Sequence, residues 1–156
     1  MGAGKTSVGR KLANYLKIDF FDADEEVKKA AGCSIQNIFE IYGEAKFRKL
    51  EEKVICRLLT QGSRVIATGG GAYLNPRIRN EITEQGFSIW LKASLDILVQ
   101  RTNGRSGRPL LKNKNSREIL DHLIKKRHPI YSKADLTIET SNETVCQTLN
   151  AIIDEL

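Results

Sequence analysis

Apolar positions follow two spacings along this chain, and the alternation of the two predicts helices that alternate with short strands. Stretches with apolar residues three or four positions apart are typical of amphipathic helices. Short continuous apolar runs, typical of buried parallel strands, separate them. The predicted helices cover residues 5–16, 25–31, 34–40, 44–59, 76–85, 94–101, 116–127 and 144–156, with Pro129 disturbing the seventh. The predicted strands cover residues 18–21, 65–67, 87–91 and 136–138.

Strands that alternate with helices predict a parallel sheet covered by helices on both faces. Ligands of such sheets bind beyond the carboxyl ends of the strands. The opening glycine loop, the acidic pair Asp22 and Asp24, and the triplet Gly69–Gly71 all lie next to predicted strands in this way. Residues 103–115 combine Gly, Lys, Arg and Asn without periodicity, which predicts a mobile loop.

Composition narrows the class of protein. A length of 156 residues favours one domain over residues 1–156, and 40% hydrophobic with 28% charged residues argues against disorder. No apolar run approaches about 18 residues and no signal-peptide pattern opens the chain, so no membrane association is expected. Three widely spaced cysteines without a CxxC pair favour the reducing cytoplasm.

The net charge of +6 favours partners that carry phosphate groups. Nucleic acid is not expected, because the basic residues are spread along the chain and no aromatic-interleaved basic tract occurs. The opening Gly2-Ala3-Gly4-Lys5-Thr6 matches the end of a Walker A loop, GxxxxGK[ST], at the start of an amphipathic helix. Lys5 would then reach the β- and γ-phosphates and Thr6 would hold Mg²⁺. An ordinary glycine-rich helix start is the alternative.

A Walker A loop normally follows a buried strand, and this chain begins inside the loop. A strand with five buried apolar side chains would contribute roughly 8–15 kcal/mol, about the stability of a whole domain. The pattern therefore suggests that roughly ten N-terminal residues precede the sequence in the native protein.

Two carboxylates, Asp22 and Asp24, follow a predicted strand. Phosphoryl transfer needs a group near the metal, which suits Asp22, and a group that orients or deprotonates the attacking hydroxyl, which suits Asp24. The alternative is an acidic first turn stabilised by the helix dipole. Arg48 and Glu51 lie three positions apart on one helix face, so Glu51 could hold Arg48 against a ligand carboxylate; a solvated surface pair is the alternative.

Further glycines and arginines complete the set of candidates. Gly69, Gly70 and Gly71 would let the backbone approach a ligand, or form a flexible turn. Arg101 and Arg108 flank or lie in the predicted loop, where loop closure could bring an arginine to the transferring phosphoryl group. Arg127 could bind an anion or end a solvated helix.

The chain resembles the shikimate kinase family over essentially its whole length. The resemblance rests on the order and spacing of GAGKTSVGR, FDAD, EAKFRKLE, ATGGGA, GRPLL and KKRHPIY. It implies ATP-dependent phosphorylation of the 3-hydroxyl of shikimate in aromatic amino-acid biosynthesis, by a monomer. It also implies a three-layer α/β/α P-loop kinase fold with a five-stranded parallel sheet, order 2-3-1-4-5, whose first and central strand is absent from this chain. Residues of about 103–115 would form a lid and helices of about 23–61 would bind the acceptor.

The resemblance also implies roles for individual residues. The ATP phosphates would be bound by Gly2, Ala3, Gly4, Lys5, Thr6 and Ser7. Thr6 would ligate Mg²⁺, and Asp22 would act through water in the metal shell. Arg101 would stack on adenine, and Arg108 would reach the phosphates on closure. The shikimate ligands would be Asp24, also the candidate base, with Arg48, Gly69, Gly70, Gly71 and Arg127. The adenine-side loop would fall near residues 141–143.

Three other functions compete with this interpretation. A different P-loop kinase of small acceptors, such as gluconate or a nucleoside monophosphate, would share the phosphate loop, although the paired arginines favour a carboxylate acceptor. A regulatory module could bind ATP without catalysis. A basic nucleic-acid-binding domain would show salt-dependent binding.

Overall fold

A computed structural model describes residues 2–102, 116–141 and 143–156. Its helices are α1 Lys5–Leu16, α2 Ala23–Ala31, α3 Ile35–Leu59, α4 Pro76–Gln85, α5 Leu95–Thr102, α6 Ser116–Tyr131 and α7 Val145–Ile153, with a short 3₁₀ helix at Ala72–Leu74. Its strands are β1 Asp19–Asp22, β2 Arg64–Ala67, β3 Ile89–Ala93 and β4 Leu136–Thr140. The chain divides into two compact units, Thr6–Phe87 (the 6–87 unit) and Met1–Lys5 with Ser88–Leu156 (the 88–156 unit).

The 6–87 unit is built on the parallel pair β1–β2, in which Asp19 pairs with Arg64 and Asp22 with Ala67. Helices α2, α3 and α4 supply most of its core. One apolar cluster comprises Val27, Ile38, Phe47, Val54 and Leu58, and a second comprises Ala23, Ile55, Ala72, Ile78 and Ile82. Phe47, Val54 and Leu58 therefore lie on the buried face of α3.

Helix α3 contains a kink that the sequence pattern predicted as a break between two helices. Ser34 caps its start by accepting a hydrogen bond from the Asn37 backbone N–H, at 3.1 Å. Gly43 has φ 77° and ψ 169°, a conformation that glycine adopts far more easily than other residues. The helical segment after Gly43 begins at Glu44 and carries Arg48 and Glu51.

The 88–156 unit contains the parallel pair β3–β4, in which Ile89 pairs with Leu136 and Ala93 with Thr140. Its apolar cluster joins β3, α5 and α6 through Ala93, Leu98 and Leu120. Asp135 accepts hydrogen bonds from the backbone N–H and the hydroxyl of Ser88, at 2.7 and 2.6 Å. These bonds join the beginnings of the two strands.

The prediction that Pro129 disturbs the helix near residue 127 is wrong, because α6 continues through Pro129 to Tyr131. Proline removes the N–H that would donate to the Lys125 carbonyl, but only Ile130 and Tyr131 follow it in α6, and its fixed φ suits a helix. The last turn is secured by the Ser132 N–H, which donates to His128 O at 2.9 Å. Tyr131 and His128 both pack on the Trp90 ring.

The α/β class with parallel strands is confirmed. In residues 2–102, 116–141 and 143–156 the strands form two separate parallel pairs, so the five-strand order stays a prediction. Within the same residues, no helix is both long enough and apolar enough to cross a membrane.

Candidate active site

The predicted phosphate loop adopts a backbone that requires its glycines. Gly2 and Gly4 have φ angles of 76° and 89°, in the left-handed region. A β-carbon on Gly2 would lie 3.2 Å from the Thr102 Cγ2 atom and 3.6 Å from the Arg101 Cβ atom, so the loop backbone lies close against the end of α5. Helix α1 begins at Lys5, and the positive end of its dipole there favours an anion.

Ala3 and Ser7 are also predicted to belong to the phosphate loop. Ala3 packs against the cluster of Ala93, Leu98 and Leu120. Ser7 is an exposed residue in the first turn of α1.

Asp22 is the last residue of β1, and each of its two carboxylate oxygens accepts a hydrogen bond. Its Oδ2 accepts a hydrogen bond from the Thr6 hydroxyl at 2.9 Å. Its Oδ1 accepts one from the Asp24 backbone N–H at 3.1 Å and so caps α2. The predicted metal ligands Thr6 and Asp22 are thus in direct contact.

The pair of Thr6 and Asp22 suits Mg²⁺, which prefers oxygen ligands and commonly takes one or two from the protein and the rest from phosphates and water. No cluster of three or more His, Cys, Asp or Glu side chains suited to a metal occurs in the described parts of the chain. The Thr6 hydroxyl and the Asp22 carboxylate, which lie within hydrogen-bond distance of each other, are oxygen donors of the kind that magnesium prefers.

The side chains of Asp24 and Glu51 both lie next to the backbone of Gly69. A β-carbon on Gly69 would lie 3.0 Å from the Asp24 Oδ1 atom and 3.0 Å from the Glu51 Oε1 atom. Three segments that are distant in the sequence, the start of α2, the middle of α3 and the turn after β2, therefore meet around one glycine. The predicted acidic residue and the predicted glycine triplet lie in the same site.

Arg48 completes this cluster, and it touches the same glycine triplet. Its Nη1 donates to Glu51 Oε2 at 2.7 Å. Its Nη2 and Nε both donate to Glu44 Oε1, at 3.1 and 3.3 Å. A β-carbon on Gly71 would lie 2.7 Å from the Arg48 Cζ atom, so the guanidinium rests directly on the Gly71 backbone.

The two paired side chains perturb each other's pKa. Burial, the largest effect, disfavours the charged form of Arg48, but the hydrogen bonds and charges of Glu51 and Glu44 together outweigh it and raise the Arg48 pKa. Burial raises the pKa of Glu51, Arg48 opposes that rise, and the negative charge of Asp24 adds to it. With 3% of its side chain exposed, Glu51 is a buried partner of Arg48 rather than half of a solvated pair.

Two further predicted arginines lie in the 88–156 unit. The Arg127 Nε atom is buried and has no hydrogen-bond partner among the described residues, which is unusual and favours an anionic ligand there. Arg101 Nη2 donates to the Ser141 carbonyl oxygen at 2.6 Å, so the residue predicted to stack on adenine contacts the loop predicted for the adenine side.

Some predicted features fall outside the described residues: Arg108, the whole segment 103–115 and Asn142. Gly70 is described and lies between the two glycines that contact Asp24, Glu51 and Arg48. Sequence reasoning missed Glu44, although its spacing of four residues from Arg48 was a usable signal.

The family model and the curated relatives that match this chain all carry the same description. The model of the family described as shikimate kinase matches residues 1–156. The chain is 42% identical over 165 residues to a shikimate kinase of Mesorhizobium japonicum, covering 100% of this chain and 81% of the relative. It is 47% identical over 143 residues to a shikimate kinase of Brucella canis, covering 92% of this chain and 72% of the relative.

Solved structures give the same result. The shikimate kinase of Acinetobacter baumannii in complex with shikimate superposes with a TM-score of 0.95 at 37% identity, covering 99% of this chain and 87% of that one. The shikimate kinase of Aquifex aeolicus superposes with a TM-score of 0.85 at 36% identity, covering 98% and 89%. From its sequence and its fold, the chain belongs to the shikimate kinase family.

Proposed function

We propose that this chain transfers the γ-phosphoryl group of ATP to the 3-hydroxyl of shikimate, the reaction of its family in aromatic amino-acid biosynthesis. The observation that carries the proposal is the cluster of Asp24, Arg48 and Glu51 around Gly69 and Gly71. Shikimate is a small carboxylate with neighbouring hydroxyl groups. A buttressed arginine next to an aspartate matches those two kinds of group.

On the acceptor side, Arg48 binds the shikimate carboxylate while Glu51 holds the guanidinium in place through Nη1. Asp24 accepts hydrogen bonds from the substrate hydroxyls. As the 3-hydroxyl oxygen attacks the γ-phosphorus, the bond from that phosphorus to the β–γ bridging oxygen breaks and ADP leaves, while the hydroxyl proton passes to an Asp24 carboxylate oxygen. Gly69, Gly70 and Gly71 line this site, with Gly70 in direct contact with the ring.

Arg127 is the second carboxylate ligand in this proposal. Its buried Nε without a partner among the described residues supports the assignment, because a buried donor is ordinarily satisfied by a partner. Shikimate would supply that partner.

On the nucleotide side, Gly2, Ala3, Gly4, Lys5, Thr6 and Ser7 bind the phosphates of ATP. Lys5 contacts the β- and γ-oxygens and stabilises the charge of the transferring group. Thr6 would ligate Mg²⁺ and Asp22 would act through water in the metal shell, and the ion when bound would neutralise phosphate charge. Arg101 stacks on adenine and is held in place by the Ser141 carbonyl. Arg108 reaches the phosphates.

The finer architecture belongs to the same proposal. The parallel pairs β1–β2 and β3–β4 would be strands 2-3 and 4-5 of a five-stranded sheet with order 2-3-1-4-5. The whole chain, matched by a single family model, would act as one kinase domain. Residues 103–115 would form its lid and the helices of 23–61 would bind the acceptor. We propose that it works as a cytoplasmic monomer, without nucleic-acid or membrane partners.

Release of ADP that depends on the acceptor tests the function. Purified protein is given ATP, Mg²⁺ and, in parallel, shikimate, gluconate or nucleoside monophosphates, and ADP is followed by a coupled assay. We expect ADP with shikimate alone. ADP with gluconate or a nucleoside monophosphate would assign another acceptor. Tight ATP binding without turnover on any acceptor would instead indicate a regulatory ATP-binding module.

A further inference from the structure

Two carboxylates accept hydrogen bonds from the Arg48 guanidinium, and they differ in burial and in the lengths of these bonds. Glu51 has 3% of its side chain exposed and accepts one bond, from Nη1 at 2.7 Å. Glu44 has 66% of its side chain exposed and accepts two longer bonds, from Nη2 at 3.1 Å and Nε at 3.3 Å. The buried carboxylate is a permanent partner, whereas the exposed one has water as a ready alternative.

Glu44 occupies the edge of the guanidinium that carries Nε and Nη2. Nε and Nη2 form a parallel pair of donors, which is the geometry that arginine uses to bind a carboxylate through two hydrogen bonds. Glu44 satisfies both donors with one oxygen, at distances longer than the roughly 2.7–2.9 Å of a strong charge-assisted bond. A carboxylate that approached with both oxygens would make the better pair of bonds.

Given the shikimate kinase activity proposed above, we propose that Glu44 is an internal stand-in for the substrate carboxylate. It occupies the Nε–Nη2 edge of Arg48 until shikimate displaces it. Glu44 therefore lowers the affinity for carboxylate-bearing acceptors and is a specificity-determining residue, while Glu51 keeps the guanidinium in position during the exchange.

The local backbone makes the exchange inexpensive. Glu44 directly follows Gly43, whose φ of 77° separates the two segments of α3, so Glu44 lies in the first turn of the segment that carries Arg48. A carboxylate in a first helical turn is stabilised by the helix dipole whether or not it is paired with Arg48. Once displaced, Glu44 points into water and loses only an exposed ion pair, which is worth little.

Glu44→Gln tests the proposal because it removes the competing charge and preserves the size of the side chain. We expect the Kd and KM for shikimate to fall about two- to five-fold, as suits an exposed ion pair within a helix, with kcat and the KM for ATP unchanged. Glu44→Ala should give the same direction of change. Shikimate methyl ester, which lacks the carboxylate, should bind both variants and the parent chain equally.

Glu139→Gln is the matched control. It removes another exposed carboxylate, which pairs with Lys92 at 2.7 Å in the 88–156 unit, and should leave shikimate affinity unchanged. An unchanged or raised KM for shikimate in both Glu44 variants would overturn the proposal and make Glu44 a surface charge or a second support for Arg48. Equal tightening toward the methyl ester would overturn it too. If the parent chain does not phosphorylate shikimate in the same assay, the proposed function fails independently of Glu44.

Discussion

Gly71→Ala should selectively impair shikimate binding, because Gly71 has no room for a side chain beside Arg48. A β-carbon there would lie 2.7 Å from Arg48 Cζ and 2.8 Å from Nη2, far inside van der Waals contact. The backbone at Gly71 has φ −95° and ψ −20°, which alanine adopts without strain. The only consequence of the substitution is therefore that the guanidinium must move.

The size of the effect follows from what holds the guanidinium. Arg48 is fixed by the buried Glu51, so it cannot withdraw without lengthening the 2.7 Å bond to that carboxylate. Overpacking of a well-packed core typically costs about 1–3 kcal/mol, and the guanidinium, at the end of a side chain that is 36% exposed, yields at the low end of that range. At a cost of about 1 kcal/mol to the binding-competent position of Arg48, the KM for shikimate should rise about five-fold. The KM for ATP should stay unchanged.

Steady-state kinetics with each substrate varied in turn measure this split, and Gly86→Ala is the control. Gly86 also has a backbone that alanine adopts without strain, here the extended one with φ −150° and ψ −173°. A β-carbon there meets its first atom, the Ile82 carbonyl oxygen, at 3.5 Å, an ordinary contact. Gly86→Ala should be kinetically silent. An unchanged KM for shikimate in a folded Gly71→Ala protein would refute the assigned position of Arg48.

Three further substitutions address separate parts of the account. Asp24→Asn should abolish turnover but preserve ATP binding measured by calorimetry; turnover at the parent rate would remove Asp24 from the mechanism. Arg48→Ala should weaken shikimate binding by about 2–5 kcal/mol, measured as Kd, and an unchanged Kd would place the carboxylate elsewhere. Asp135→Asn should lower the free energy of unfolding at pH 7 by about 1 kcal/mol. Hydrogen bonds from Ser88 lower the Asp135 pKa. The difference in the free energy of unfolding between the two proteins should therefore be complete at neutral pH and shrink as the pH falls below the usual aspartate pKa of about 3.9. A difference that does not change with pH would contradict this prediction.

Local signals in the sequence were sufficient for several elements. The bounds predicted for helix α4 agree with those observed because Pro76 occupies its first position. Helix α1 was also predicted with its observed bounds, from its apolar spacing after the glycine loop. Gly32, in the αL conformation, caps α2, so the helix ends at Ala31 as predicted.

Tertiary pairing decided the boundaries that were predicted less well. The third strand was predicted to end at Leu91, before a charged residue, but β3 continues through Lys92 to Ala93. Lys92 is tolerated there because it pairs across the sheet with Glu139 at 2.7 Å. No local sequence pattern around Lys92 predicts that its partner, Glu139, lies 47 residues away along the chain.

The same distinction applies to the site. The pairing of Arg48 with Glu51 could be predicted, because positions three apart share a helix face. The burial of Glu51, its proximity to Asp24 across Gly69, and the contact of Arg48 with Gly71 depend on how α3 packs against the turn after β2. The sequence named these residues as separate candidates, and only the packing shows that they form one cluster.

The central claim is that Asp24 and Arg48 orient shikimate so that its 3-hydroxyl receives the phosphoryl group. Phosphorus-31 NMR of the product formed from ATP, Mg²⁺ and shikimate tests it most directly. The account predicts a single phosphomonoester resonance coupled to the proton on carbon 3 of the ring. A phosphate on another hydroxyl, or inorganic phosphate as the sole product, would contradict it.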